Sequence, residues 1–250
     1  VDSQTTRKMF ELNLSSGPYS IDYTRNGRHL LLAGSSKAGH MAVLDWQRAS
    51  IVAEWRTHER VSDACFLQDE RMIAVANPDS WLKIYEAAGR GEKASYRELH
   101  SLRSHGLARF VQYLPYHWLL CMSSDRAHIQ YLDVSTGQQV VDRATGMGQP
   151  TCMVQNPANA LMILGHTRGV VTMWSPSCND RSPLVKMLCH RGPVLSAAVN
   201  LAGNIMITGG VDGLVKVWDL RTFQALGSYS TPRKTAVSLS LIHISQGIVR

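Results

Sequence analysis

His190-Arg191-Gly192-Pro193-Val194-Leu195-Ser196-Ala197-Ala198-Val199-Asn200-Leu201-Ala202-Gly203-Asn204-Ile205-Met206-Ile207-Thr208-Gly209-Gly210-Val211-Asp212-Gly213-Leu214-Val215-Lys216-Val217-Trp218-Asp219 holds three short apolar runs divided by turn residues. Val194–Val199 reads as one strand, Asn204–Thr208 as a second and Leu214–Asp219 as a third. Val211-Asp212-Gly213 reads as the tight turn between the last two, because Asp-Gly supplies the positive φ that a short hairpin needs. The stretch closes on Trp218-Asp219, 28 residues after His190.

The same ending recurs upstream. Leu44-Asp45, Tyr85-Glu86, Leu132-Asp133 and Trp174-Ser175 precede Trp218-Asp219 at spacings of 41, 47, 42 and 44 residues. A period of about 40–45 residues ending in a Trp-Asp signature is what four-stranded propeller blades leave in a sequence. The chain therefore reads as an all-β WD-repeat β-propeller, with repeats near 17–57, 58–104, 105–145, 146–189 and 190–230 and the start of a further blade at 231–250. Five repeats and part of a sixth do not close a seven-blade ring, so the reading is part of such a ring. Residues 1–16 form an N-terminal extension in which Phe10–Leu14 is a candidate closing strand. Counting back 27 or 28 residues from the earlier anchors reaches Ser16, His58, His105 and Gly146. The His, Thr, Asp and Trp network of a blade is expected complete only in the last repeat, as His190, Thr208, Asp212 and Trp218, where neighbouring polar groups satisfy one another inside the sheet.

Composition bounds the function classes. The 250 residues are 44% hydrophobic, with no run of about 18 apolar residues that would span a membrane. Cys65, Cys121, Cys152, Cys178 and Cys189 form no CxxC pair, which argues against a zinc site or a disulfide frame. No phosphate-binding loop, HExxH or GxSxG pattern is present, and Gly146-Met147-Gly148 is too short to cradle a dinucleotide. Cys189-His190 places a thiol beside an imidazole, but neighbours on an extended chain point to opposite faces. No catalytic residue, cofactor, metal or small-molecule substrate is expected. The formal charge is +7, and 19 of the 26 basic residues are Arg. Guanidinium groups fork onto phosphate and stack on bases, yet scattered surface cations are equally a property of solvated loops. Charge alone leaves both readings open.

Some blocks are more distinctive than a generic repeat. Gly17-Pro18-Tyr19-Ser20-Ile21-Asp22-Tyr23-Thr24-Arg25-Asn26-Gly27-Arg28-His29-Leu30-Leu31-Leu32-Ala33-Gly34, followed by Leu44-Asp45-Trp46, resembles the first repeat of the U3 small nucleolar RNA-associated protein 7 family. Tyr131–Gly137, Gln155-Asn156-Pro157, Leu164–Gly169, Trp174-Ser175-Pro176 and Leu188–Gly192 extend the resemblance over roughly residues 17–221. It implies a non-enzymatic nucleolar scaffold of the small-subunit processome, acting in 18S pre-rRNA processing and 40S subunit assembly. The implied partners are other processome proteins, with pre-rRNA or U3 small nucleolar RNA nearby. The alternative is a WD-repeat adaptor or substrate receptor of another complex, such as a ubiquitin ligase. Ala76-Asn77-Pro78-Asp79-Ser80 departs from the family pattern, and Glu86–Glu98 reads as an expanded charged loop. Arg25, Arg28, Arg126, Arg168 and Arg191 are the candidate RNA or partner contacts, chosen because they lie in loops or turns.

Overall fold

Short runs of β-branched and aliphatic residues punctuated by Gly, Asn and Asp form strands throughout the computed structural model, which describes residues 18–79, 81–88, 95–102, 107–177 and 182–230. The first sheet joins β1 (Tyr19–Tyr23), β2 (His29–Gly34), β3 (His40–Asp45) and β4 (Ser50–Arg56). The second joins β5 (Asp63–Phe66), β6 (Met72–Ala76), β7 (Leu82–Ala88) and β8 (Ser95–Leu102). The third joins β9 (Phe110–Leu114), β10 (Leu119–Ser123), β11 (His128–Asp133) and β12 (Gln139–Ala144). The fourth joins β13 (Pro150–Gln155), β14 (Met162–His166), β15 (Val170–Trp174) and β16 (Val185–Leu188). The fifth joins β17 (Val194–Val199), β18 (Ile205–Gly210), β19 (Leu214–Asp219) and β20 (Gln224–Ser230). Every sheet is an antiparallel meander in chain order, the topology of a WD-repeat blade. Among the described residues no helix is long and apolar enough to cross a membrane. Phe10–Leu14 and 231–250 lie outside the described residues.

The chain divides into two compact units between Leu102 and Arg103. In the first, Leu31, Met41 and Val43 meet Val61, Phe66, Ile73 and Tyr85 in one core, and Trp55 stacks on Tyr96 with ring centroids 4.5 Å apart. In the second, Leu114, Cys121 and Tyr131 pack with Met162, Leu164 and Trp174, while Ile163, Val171 and Met173 pack with Val194, Met206 and Trp218. Within each unit, neighbouring sheets thus bury their facing surfaces against each other. The fifth differs on one face. Tyr229 holds the register position of Met187, since Val215 pairs with Tyr229 as Val171 pairs with Met187. Met187 is 8% exposed and Tyr229 66%, because the fourth sheet has the fifth against it.

The charged segment Glu86–Glu98 is corrected by the structure. It is not a loop throughout: β7 runs to Ala88, β8 begins at Ser95, and Glu86 faces Arg97 across the ladder with their side chains 3.6 Å apart. Charge reads as loop in a sequence, but a fourth strand that is mostly exposed tolerates it, especially when opposite charges face each other.

Within the first unit a partly buried polar tie joins the two sheets. Asp22 Oδ2 on β1 accepts the Phe66 amide at the end of β5, at 2.8 Å. Burial pushes the Asp22 carboxyl up to about 6, against the amides of Phe66 and Tyr23 that favour its ionised form. A raised folded-state value means that this group's stabilising contribution is full below about 3.8 and is lost as pH rises through about 6. Asp22→Asn keeps an oxygen for the Phe66 amide without the buried charge. It should therefore be more stable than the parent at pH 7.5, by at most about 3 kcal/mol. Urea denaturation at several pH values should show that gap closing as pH falls from 7.5 to 4.

Candidate functional site

The four polar residues expected to form a network in the last repeat come together inside the fifth sheet. Trp218 Nε1 donates to Thr208 Oγ1 at 3.0 Å, and His190 Nε2 lies 2.9 Å from the same oxygen. His190 Nδ1 stands 3.0 Å from Asp212 Oδ1. These contacts select one direction of donation: indole N–H to hydroxyl, hydroxyl to Nε2, and Nδ1–H to carboxylate. Burial works to raise Asp212, but the Leu214 amide and His190 hold it below the usual carboxylate range. Gly210 is required beside them, because a Cβ there would lie 2.5 Å from both Asp212 Oδ1 and His190 Nδ1. Cys189 is no activated nucleophile, since burial pushes its thiol up to about 12.

Among the described residues the full His, Thr, Asp and Trp set is seen in the last repeat, and the fourth sheet carries a shorter network without the acid. In the fourth sheet Trp174 Nε1 donates to Thr172 Oγ1 at 2.9 Å, His166 Nε2 lies 2.8 Å from that hydroxyl, and His166 Nδ1 faces the Gly148 carbonyl at 3.2 Å. The indole–hydroxyl–imidazole part matches the fifth sheet while the chain positions differ. Thr172 precedes its Trp by two residues on the same strand, whereas Thr208 sits on the neighbouring strand opposite Lys216. Histidine comes from the end of β14, whereas the place counted back from Trp174, before β13, is held by Gly146. Burial lowers His166 below the ordinary imidazole value, consistent with a neutral ring ending on a carbonyl rather than a carboxylate. The signal was a Thr-x-Trp triplet with a histidine six residues before the Thr.

The second sheet places ions in the equivalent position. Lys83, two residues before its anchor like Thr172 and Lys216, binds Glu59 Oε1 at 2.7 Å and Glu98 Oε2 at 3.3 Å. Asn77, fully buried at the departure from the family pattern, donates to Glu59 Oε2 at 2.8 Å. His58, reached by counting back from Tyr85, is instead exposed in a turn with φ of 57°, and Glu59 beside it faces the sheet. His105 lies outside the described residues.

The acidic half of the anchor caps the turn that follows. Asp45 Oδ1 accepts the Arg48 amide at 3.1 Å, Asp133 Oδ1 that of Ser135 at 2.8 Å, and Asp219 Oδ1 that of Arg221 at 2.8 Å. Ser175 Oγ does the same for Ser177 at 3.3 Å. Asn156 of the Gln-Asn-Pro block joins two sheets: its Nδ2 donates to the Gly203 carbonyl at 3.0 Å and its Oδ1 accepts the Ala158 amide. A Cβ on Gly203 would lie 2.4 Å from Asn156 Oδ1, so the block and that glycine fit as a pair.

The five candidate arginines differ in their surroundings. Arg25 lies exposed in the β1–β2 turn beside a groove lined by Asn26, Gln68, Asp69, Glu70 and Arg71. Arg28 is committed to Asp45, with Nε 2.9 Å from Oδ2. Arg126 and Arg168 are exposed in the β10–β11 and β14–β15 turns, and Arg191 is exposed in the connection from β16 to β17. In the second unit these turns and connections occupy one end of each sheet. They are stitched together there by Thr145 N to Ala127 O, Thr167 N to Gln149 O and Cys189 N to Gly169 O. Among the described residues no three His, Cys, Asp or Glu side chains gather as a metal-ligand set.

Repeated four-stranded meanders, Trp-Asp endings and an indole–hydroxyl–imidazole relay define a WD-repeat protein, and the WD domain, G-beta repeat family matches residues 181–219. The chain is 42% identical to U3 small nucleolar RNA-associated protein 7 of Saccharomyces cerevisiae, over 99% of this chain and 44% of that protein. It is 43% identical to WD repeat-containing protein 46 of Caenorhabditis elegans and 40% to that of Homo sapiens, each over 93% of this chain and 38% and 36% of the relative. The chain belongs to the U3 small nucleolar RNA-associated protein 7 family and spans less than half the length of these relatives.

Two substitutions test the relays. Thr172→Val and Thr208→Val keep side-chain shape while leaving an indole N–H and an imidazole nitrogen unpaired. Each should destabilise the fold by about 1–3 kcal/mol per orphaned buried group, read from urea denaturation midpoints. Asn156→Asp removes the donor to Gly203 and sets a carboxylate against a carbonyl. It should lower the melting temperature at pH 7.5 by several degrees and recover part of that loss at pH 4.

Proposed function

We propose that this chain is the WD-repeat part of a ribosome-biogenesis factor, acting in the nucleolus as a non-enzymatic scaffold of the small-subunit processome in 18S pre-rRNA maturation. The observation that carries this reading is 42% identity along 99% of the chain to a protein named for its association with U3 small nucleolar RNA. Supporting it, the distinctive blocks have physical roles in the fold: Asn156 joins two sheets, and Thr172 with Trp174 forms the relay of the fourth. Rigid sheets present their end turns with little ordering cost when a partner docks, which suits a component that several proteins and RNA meet at once.

Conditional depletion of the protein should reduce 18S rRNA and accumulate its precursors on northern blots, while 25S or 28S rRNA persists. The tagged protein should sediment with 90S pre-ribosomes. Normal 18S maturation after depletion would contradict the reading.

A further inference from the structure

The three sheets of the second unit carry their charges unevenly between their two ends. At the end formed by the β10–β11, β14–β15 and β18–β19 turns and the connections into β9, β13 and β17, the described carboxylates are engaged within their own blades. Asp125 binds Arg109 at 3.0 Å, Asp142 binds His128 at 2.8 Å and Gln130 at 3.0 Å, and Asp212 binds His190 at 3.0 Å. Arg126, Arg168 and Arg191 are exposed at this same end, and among the described residues none of their guanidinium groups has a carboxylate partner. Between Arg126 and Arg168 runs the connection containing Gly146, where a Cβ would meet nothing within 4 Å. That backbone is open to close approach.

The other end of these sheets differs in kind. Arg221 is held by Asp219 through Nε at 3.1 Å and Nη2 at 2.9 Å, and Tyr116 and Trp118 are exposed in the β9–β10 turn. The sheets are aligned end to end: Thr151, near the start of β13, bonds the Val194 carbonyl at the start of β17, while Asn156 past the end of β13 bonds Gly203 past the end of β17. The three free arginines therefore lie on one edge, one in each turn or connection.

We infer that this edge binds the phosphate backbone of RNA through Arg126, Arg168 and Arg191. An extended polyanion with regularly spaced charges matches single cations spread along a row of sheets, and a guanidinium forks onto phosphate oxygens. A compact acidic peptide would be better met by clustered cations. The contacts position a strand without reading its bases, because the imidazoles beside the three arginines, His128, His166 and His190, are engaged by Asp142, Thr172 and Asp212 within their own sheets. The inference rests on the processome reading for its ligand class but is separable from it.

Fluorescence anisotropy with a labelled 20-nucleotide polyuridine strand tests the edge, using the full chain at 50–200 mM salt. Three single-strand phosphate contacts contribute a salt slope of about 2, so Arg126→Ala/Arg168→Ala/Arg191→Ala should weaken binding on the order of 100-fold near 0.1 M salt and lower the slope by about 2. Lys37→Ala/Arg48→Ala/Arg71→Ala removes equal charge elsewhere and should change affinity less than about threefold. Thermal melts within a few degrees of the parent establish that both variants fold; if the triple alanine does not, the glutamine triple takes its place. Equal losses in the two variants, parental binding by the triple variant, or displacement of RNA by polyglutamate at equal charge concentration would overturn the inference. Failure here with intact 90S sedimentation leaves the processome function standing. Loss of RNA binding in the triple variant with normal 18S maturation on depletion does the reverse.

Discussion

A four-stranded sheet with apolar side chains on both faces cannot stand alone in water, so each sheet must press against another. Leu31, Ile73, Ile163 and Val171 are fully buried only because a second sheet lies over them. Stacking creates a second requirement. Polar groups that the sheets cover lose water and need partners within the protein, since an orphaned one costs about 1–3 kcal/mol.

The sheets meet that requirement with different chemistry in one region. The fifth uses Trp218, Thr208, His190 and Asp212; the fourth uses Trp174, Thr172 and His166; the second uses Lys83, Glu59 and Asn77. What persists in these three sheets is a hydrogen-bonded polar cluster rather than the identity of its residues, with Asn77 Oδ1 left unpaired in the second. A repeat that looks degenerate by its motif can therefore still hold such a cluster. The same reasoning covers the anchor acids, whose place Ser175 takes because a hydroxyl oxygen also accepts the turn amide.

Charge follows a different logic, because it is settled at the ends of the sheets rather than between them. Arg28 and Arg221 are spent on the capping carboxylates Asp45 and Asp219, which ties these arginines to turn geometry. Among the described residues Arg126, Arg168 and Arg191 are paired with no carboxylate and remain open to a ligand. The groups that stabilise turns and the groups available to partners come from the same residue type and differ only in their neighbours.

Much of this was legible in the residue order. The 41-to-47-residue rhythm and the Asp212-Gly213 turn marked repeated antiparallel sheets, since strand alternation and turn chemistry are local properties. The gathering of His190, Thr208, Asp212 and Trp218 could also be read, because their spacing follows from strand length. What the order could not reveal was non-local. His166 replaced a missing histidine from another strand, the two flanks of Glu86–Glu98 became paired strand, and Arg28 was committed to a carboxylate while Arg126, Arg168 and Arg191 were not. Sequence by itself determined which segments became strands and where they turned. Only the tertiary structure decided which polar groups met, because burial and hydrogen bonding depend on neighbours that the chain brings together from distant positions.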